Sequence, residues 1–368
     1  MKVLVTGSNG FIGKNLMVRL GELESYEAIA FNRTHSLEFL NACVGQCDAI
    51  VHLAGINRPN DIQEFAKGNL DLTAQLCEII AITGRKIPLI FSSSAQATFA
   101  NPYGESKRMA EEVCEKFSSA SGNPVSVLRL PGVFGKWCKP NYNSVVATFC
   151  HNIANHLPIQ VNDQSALVRL VYVDDVVSAI IRILGNMPPG FTHGEVGPVY
   201  EIALGGLATQ IESFNNCRSS LVSEQVGTGF IRALYATYVS YLPASEFAYD
   251  LPKHGDERGI FVEMLKTKDS GQFSFFTTHP GVTRGGHYHH TKTEKFLVIK
   301  GEARFGFRNI LSNERYELFT SGERPRVVET VPGWTHDITN IGKDEMVVML
   351  WANEIFDRQN PDTIACKV

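Results

Sequence analysis

What the chain lacks narrows its class first. No apolar run reaches the roughly 18 residues that a membrane-spanning helix needs. The opening MKVLVTG runs straight into a strand and a glycine turn, so no secretory leader is expected. Positive charge is not in excess: 34 Lys and Arg against 38 Asp and Glu give a net charge of -4 and a pI near 6.3. Nucleic acid or an anionic membrane would call for a basic stripe instead. The expectation is a cytoplasmic protein with a small-molecule partner, no nucleic acid and no membrane. Cysteine is scattered, with eight residues at positions 43, 47, 77, 114, 138, 150, 217 and 366 and no CxxC pair. Neither a disulfide framework nor a thiolate zinc site is therefore expected. There is no internal repeat and no low-complexity tract.

What is present is enough chain for two cores. At 368 residues with 44% hydrophobic content, two domains are the starting expectation. Residues 2–6, KVLVT, read as a buried strand, and GSNGFIG follows at a strand-to-helix junction. Glycine there lets backbone amides approach a ligand, and the helix N-terminus favours a pyrophosphate. Gly7, Asn9, Gly10, Phe11, Ile12 and Gly13 are accordingly candidate cofactor contacts. The second strand ends in Asn32-Arg33, where a site for NAD(H) usually carries an acid. Arg33 suits a 2′-phosphate, and hence NADPH, or is an ordinary exposed arginine. Residues 48–53 form a third strand leading into Leu53-Ala54-Gly55, a small-residue turn beside the expected cofactor. Asn69 either braces the sheet or caps the helix expected over 70–82.

A fourth strand over 88–91 ends in Ser92-Ser93-Ser94. Tyr103 and Lys107 follow one helical turn apart in YGESK and share a helix face. A phenol of pKa about 10 is a poor acid or base at neutral pH, and a neighbouring ammonium stabilises its phenolate. Such a pair can pass a proton to or from a carbonyl oxygen while a hydride moves at carbon. Arg169 either reaches a diphosphate or pairs with Asp174 or Asp175. Further helices are expected over 176–184 and 231–241, with a strand over 199–204 between them.

Together TGSNGFIG, DAIVHLAG (48–55), FSSS (91–94), YGESK (103–107), LRLPGVFG (128–135) and LVYVDDVV (170–177) resemble the extended short-chain dehydrogenase/reductase family over about half the chain. The resemblance implies a Rossmann-like α/β fold, a doubly wound parallel sheet, with Ser94, Tyr103 and Lys107 as the catalytic set. It also implies that Pro131, Gly132 and Val133 lie along the nicotinamide. Ser94 and Tyr103 are closer in sequence than in many relatives, which leaves open which serine acts.

After Pro243 the composition turns β-branched and aromatic. The runs GIFVEML, QFSFFTT, EKFLVIKG, EARFGFR, RVVETV and EMVVMLWAN predict an all-β sandwich or small barrel. The expected domains are 1–243 and 250–368. In RGGHYHHTKTEKFLVIKG, three histidines, His287, His289 and His290, stand close together. Alternation on a strand can aim His287 and His289 at one point, with Glu294 nearby and His336 in PGWTH further on. Imidazoles and a carboxylate suit a divalent metal, zinc among the candidates.

This half resembles the cupin superfamily, a double-stranded β-helix barrel, through His287, His289, Glu294 and Gly301 and then Pro332, Gly333, His336 and Asn340. DERGIFVE (256–263) and RGGHY (284–288) also resemble sugar-nucleotide 3,5-epimerases. There the histidine of the RGx turn is a base, so His287 is open between metal ligand and proton abstractor, and Arg258 and Arg284 become candidate substrate contacts. A reductase fused to such a barrel resembles the bifunctional enzymes of capsule and O-antigen synthesis. That implies a UDP-linked 4-keto amino sugar as substrate and C3 epimerisation followed by NADPH-dependent C4 reduction; an exposed barrel face rich in Phe and Val separately suggests a homodimer.

Overall fold

The structure, a computed structural model, describes residues 1–58, 61, 63–290, 292–310, 312–359 and 361–368. The β-branched run Lys2–Thr6 becomes a central strand because both its faces are covered. Leu4 points into a core shared with the helices Leu37–Gln46, Leu72–Ile82 and Pro102–Ser121. Val3 and Val5 point the other way, among residues of Phe11–Gly21 and Val173–Gly185. Fully burying one such side chain is worth about 1.5–3 kcal/mol, which is why strand alternation decides the layering.

Six strands make this sheet, in the spatial order Glu27–Phe31, Lys2–Thr6, Ala49–His52, Leu89–Ser94, Val125–Leu130 and Phe191–His193. Every pairing is parallel. The fold is thus the expected doubly wound α/β arrangement. The order reverses between Lys2–Thr6 and Ala49–His52, and ligands of such sheets bind beyond the strand ends at that point. A small second sheet joins Gly132–Phe134, Leu167–Tyr172 and Val199–Ala203. Leu204, expected to end that last strand, instead opens a helix, Leu204–Ser220, that the sequence pattern did not announce.

The chain divides into two compact units, Met1–Ile211 with Arg232–Pro243, and Glu212–Ile231 with Ala244–Val368. The simple division at 243–250 therefore needs a correction: Glu212–Ile231 groups with the second unit. Its short strand Val222–Ser223 pairs with Lys266 and Thr267, which gives those backbone groups their partners there.

The second unit is built on two sheets whose pairings are antiparallel, that of Val222–Ser223 excepted. One runs through Gly259–Thr267, Gly271–Thr278, Met346–Ala352, Glu294–Lys300 and Val327–Glu329. The other orders Arg315–Ser321, Glu302–Asn309, Trp334–Asn340, Thr283–Tyr288 and Ile364–Ala365. Phe276, Phe296, Val298 and Val348 from the first sheet share a core with Phe305, Phe307 and Ile338 from the second. Among the described residues no helix is long and apolar enough to cross a membrane.

Candidate functional site

Gly7 sits at the carboxyl end of the first strand with φ +69°, a left-handed conformation that glycine adopts without strain. A Cβ on it would lie 2.7 Å from the Ala54 nitrogen and 2.8 Å from the Leu53 carbonyl carbon. A Cβ at Gly13 would overlap the Gly7 carbonyl oxygen. The two glycines thus let the Phe11–Gly21 helix, whose N-cap is Gly10, approach the strand ends. Ile12, Leu53 and Val133, three candidate cofactor contacts, each pack against the same core cluster. Asn32 is turned inward on its own loop, its Oδ1 accepting from Thr34 N at 3.0 Å, while Arg33 is exposed.

The three serines separate by their partners. Ser92 Oγ donates to the His52 carbonyl oxygen at 3.2 Å, and buried Ser93 donates to Glu111. Ser94 accepts from Gln96 N at 3.1 Å, and of the three serines it is the one whose hydroxyl acts on the Tyr103 phenol. Burial raises the Tyr103 pKa above its ordinary value and the Ser94 contact pulls the other way. Lys107 is pushed down to about 8 by burial, with Cys114 and Glu111 opposing, and donates to the Ser92 carbonyl oxygen at 3.0 Å. One of the three ammonium N–H groups is thus engaged by the Ser92 carbonyl, and the groups that shift the phenol are burial and Ser94.

Asn69 braces rather than caps. It lies in a π-helical turn, Ala66–Asp71, accepts from Ile56 N at 2.9 Å, and donates to Ile56 O and to Ser106 Oγ, both at 3.0 Å. A Cβ on Gly55 would fall 2.7 Å from Asn69 Oδ1 and 3.1 Å from Lys107 Nζ, so that glycine makes the room in which the two meet.

Behind them lies a relay that motif reading missed. Thr73 Oγ1 gives its proton to the Asn69 carbonyl at 2.6 Å, so it accepts from His52 Nε2 at 3.1 Å. His52 Nδ1 must then accept from Thr6 Oγ1, at 2.6 Å, and Thr6 in turn accepts from Ala54 N at 3.3 Å. This assigns the tautomer, and burial, with Lys107 adding, holds the His52 pKa down at about 3. Gly104 also escaped notice. A Cβ there would overlap the Gln96 carbonyl oxygen, so the helix carrying Tyr103 packs directly on the turn after Ser94.

Other candidates in this unit are more loosely placed. Pro131 joins Val125–Leu130 to Gly132–Phe134. Arg169 is exposed on its strand and pairs with neither aspartate: Lys136 takes Asp174 at 2.6 Å, and Arg232 is the cation acting on Asp175. Arg232 also acts on Tyr172 and Tyr200. It lies outside every motif quoted above, which is why sequence reading passed over it.

In the second unit, His287, His289, Glu294 and His336 converge, with one donor atom from each lying within 4.8 Å of the others. A bulge between Gly285 and His287 redirects His287. His289 stands just past the end of that strand rather than on it. Their rings are nevertheless 5.0 Å apart, and that of His336 is 4.7 Å from His287. His290 is exposed, its ring against Tyr288, and stays outside the cluster.

The donor set fits a divalent cation. His289 Nδ1 donates to the Asp362 carbonyl oxygen, which leaves the lone pair on Nε2 facing Glu294 Oε2 at 3.1 Å. Two lone pairs so placed need a proton or a metal ion between them. His336 Nε2 lies 3.4 Å from the same oxygen, and neither of its buried ring nitrogens makes a hydrogen bond. Burial lowers His287 to about 4, with His336, His289 and Lys292 adding and Glu294 opposing. Burial works to raise Glu294, but the hydrogen bond with His289, the nearby His336 imidazole and the charge of Lys292 prevail and hold it well below the usual carboxylate range.

Arg284 donates to Thr278 Oγ1 at 3.1 Å and to the Thr277 carbonyl oxygen at 3.0 Å, over the Phe276 ring. Arg258 pairs with Asp256 at 2.6 Å, and the two arginines feel each other's charge. Neither is among the charges that shift His287.

Glycine-lined strand ends beside a Ser-Tyr-Lys group, with an imidazole-carboxylate cluster in the second unit, are the features that fit a nucleotide-binding class. Residues 3–202 match the NAD dependent epimerase/dehydratase family, and the chain belongs to it. Residues 254–364 match the polysaccharide biosynthesis C-terminal domain. Among particular proteins, the chain is 57% identical over 368 residues to the UDP-2-acetamido-2,6-beta-L-arabino-hexul-4-ose reductase of Pseudomonas aeruginosa, covering 100% of this chain and 99% of that one. It is also similar to the crystal structure of the capsular polysaccharide assembling protein CapF from Staphylococcus aureus, with TM-score 0.92, 40% identity and 100% of both chains covered. UDP-glucuronic acid 4-epimerase from Bacillus cereus shares the fold alone, at TM-score 0.53 and 19% identity over 59% of this chain and 84% of that one.

Proposed function

We propose that the chain is a bifunctional nucleotide-sugar enzyme of surface polysaccharide synthesis, working in the cytoplasm. The second unit, a cupin-type barrel, epimerises C3 of a UDP-2-acetamido-2,6-dideoxy-hexos-4-ulose. The first unit then reduces the C4 ketone with NADPH to give UDP-2-acetamido-2,6-dideoxy-L-talose, on the way to UDP-N-acetyl-L-fucosamine. The observation that carries this reading is the presence of both sites in one chain, a Ser94-Tyr103-Lys107 group and a four-donor cluster. The name of the Pseudomonas aeruginosa relative, a reductase of a UDP-linked 4-ulose, supports the substrate class.

NADPH, when bound, supplies the hydride, and Gly7, Asn9, Gly10, Phe11, Ile12, Gly13 and Arg33 are the groups assigned to hold it. Tyr103 gives its proton to the C4 oxygen while Ser94 hydrogen-bonds that oxygen, and Lys107 keeps the neighbouring backbone in register through Ser92. The balance is one hydride to carbon and one proton to oxygen. In the second unit His287, His289, Glu294 and His336 would hold a divalent metal, with zinc our choice, which supplies Lewis-acid stabilisation of developing oxygen charge when bound. The C4 ketone acidifies the C3 proton, which a base removes from one face, and a solvent-derived proton is then delivered to the other face. Reduction then removes the ketone and locks the new configuration. Arg169, Arg258 and Arg284 are assigned to the substrate.

With Tyr103→Phe, NADPH oxidation should fall by about 10²–10⁴-fold while C3 hydrogen exchange in deuterated water persists; undiminished NADPH oxidation sinks the tyrosine assignment. Unlabelled C3 with folded, metal-loaded wild-type protein removes the epimerase step. The His287→Ala variant divides ligand from base: retained metal with lost exchange marks the base, and lost metal marks the ligand.

A second reading keeps the reductase and makes the barrel a binding and dimerisation module. Its support is the edge strand Arg315–Ser321, which exposes Tyr316 and Phe319 at 57% and 58%. Sedimentation of a Tyr316→Lys, Phe319→Lys variant tests the homodimer on that edge. Intact C3 exchange in the resulting monomer separates assembly from chemistry.

A further inference from the structure

Lys292 is the residue of the second unit whose place demands an explanation beyond metal ligation. Its side chain is 9% exposed, yet it carries an ammonium on a four-carbon stem. Burying such a charge is costly unless it is paired. Two things fix it. The backbone N–H of Lys292 donates to Asp362 Oδ2 at 2.8 Å, beside the His290 N–H donating to Oδ1 at 2.9 Å, so Asp362 anchors both residues. At the far end Nζ lies 3.0 Å from Glu294 Oε1, with the Phe356 ring 5.5 Å away.

Glu294 is therefore divided between two duties. Oε2 faces the imidazoles of His289 and His336, at 3.1 and 3.4 Å, and Oε1 faces the ammonium. A carboxylate free on both oxygens can take a cation in bidentate fashion. Here a charged donor already occupies one oxygen, which disfavours that mode. The ammonium also withdraws density from the carboxylate and adds positive charge next to the cation site, so it weakens metal binding while it restricts geometry.

We propose that Lys292 is a positioning residue that confines Glu294 to ligation through Oε2, so that the metal keeps a coordination position open for an oxygen of the sugar substrate. The inference rests on the metal reading proposed above. Catalytic sites of this kind differ from purely structural ones in keeping such a position, and the lysine is what keeps it here.

The test is metal titration of the full chain, followed by the visible absorption of the cobalt(II)-loaded protein, for wild type, Lys292→Met, Lys292→Gln and Lys292→Arg. A lysine that merely supports the loop predicts looser metal binding on removal. The proposal predicts the opposite: Lys292→Met binds cobalt on the order of ten-fold more tightly, with a weaker visible band as Glu294 becomes bidentate and coordination number rises. Lys292→Gln still donates to Oε1 but lacks the charge, so it should bind more tightly with the wild-type spectrum. Lys292→Arg should resemble wild type in both. Should Lys292→Met fail to fold, the Gln and Arg variants carry the same contrast. Wild-type affinity and spectrum in the Met and Gln variants, or looser binding in either, overturns the role of Lys292 and leaves the metal reading standing. Failure of wild type to take up any divalent metal overturns the metal reading, and this inference with it.

Discussion

His52 is a residue whose chemistry is decided entirely by neighbours far away in sequence. Its neutral tautomer links Thr6, at the end of the first strand, to Thr73 and through it to Asn69. The unfolded chain begins to take up a proton near the ordinary value of 6.5, whereas the folded chain resists until about 3. Between those values the unfolded state binds more protons, so stability falls as pH is lowered across that window. We expect the urea midpoint to drop more steeply between pH 7 and 5 for wild type than for His52→Gln, even though the variant is less stable at pH 7. Equal slopes would show that other groups govern the acid limb. At the same scale, Ser94→Ala should depress NADPH oxidation and Ser92→Ala should leave it nearly intact, because Ser94 alone of the three acts on the Tyr103 phenol, while Ser92 and Ser93 donate to His52 and Glu111.

The helix Pro102–Ser121 was legible as an element. Asn101 accepts from Gly104 N at 2.8 Å as its N-cap, Pro102 opens it, and Gly122 closes it at φ +69°. Losing that cap in Asn101→Ala should cost about 1 kcal/mol, seen as a lower melting temperature with activity retained. Gly104→Ala should behave differently. Its Cβ would drive the helix off the Ala95–Thr98 turn, moving Tyr103 away from Ser94, so NADPH oxidation should fall by far more than stability does. If stability and activity fall together in both variants, the close approach is a packing matter alone.

The π-helical turn Ala66–Asp71 was not legible, since a helix was expected from Leu70 with no irregularity. The pattern of apolar residues gives the period of a helix but not a local change in its winding. In the second unit the runs around 259–267, 271–278, 294–300, 302–309, 327–329 and 346–352 became strands. Arg315–Ser321 was missed because an exposed edge lacks a buried face to impose alternation.

At the scale of the whole chain, the nicotinamide cofactor and the metal proposed above are assigned to different units and should act on them separately. Binding to the folded state alone stabilises by about 2.7 kcal/mol when the ligand is at 100 times its Kd. In calorimetry of the full chain, a chelator should lower the transition of the second unit, and NADPH should raise that of the first. A single transition moved by both ligands would contradict the independence of the units. The grouping of Glu212–Ile231 with the second unit further implies that a chain cut at 244 loses the strand Val222–Ser223 from its sheet.

The sequence by itself determined the strand and helix runs, the glycine turn and the one-turn spacing of Tyr103 and Lys107, which are short-range matters of period, turn chemistry and residue type. The fold class and the four-donor set came from family resemblance carried by those motifs. Tertiary structure decided what depends on atoms distant along the chain. It separated Ser94 from Ser92 and Ser93, made Asn69 a brace, and turned Lys107 toward a carbonyl oxygen. It also brought Asp362 to His289 across 73 positions and split the two oxygens of Glu294 between imidazole and ammonium. No local pattern carries those pairings, because a hydrogen bond's partner is chosen by the folded backbone.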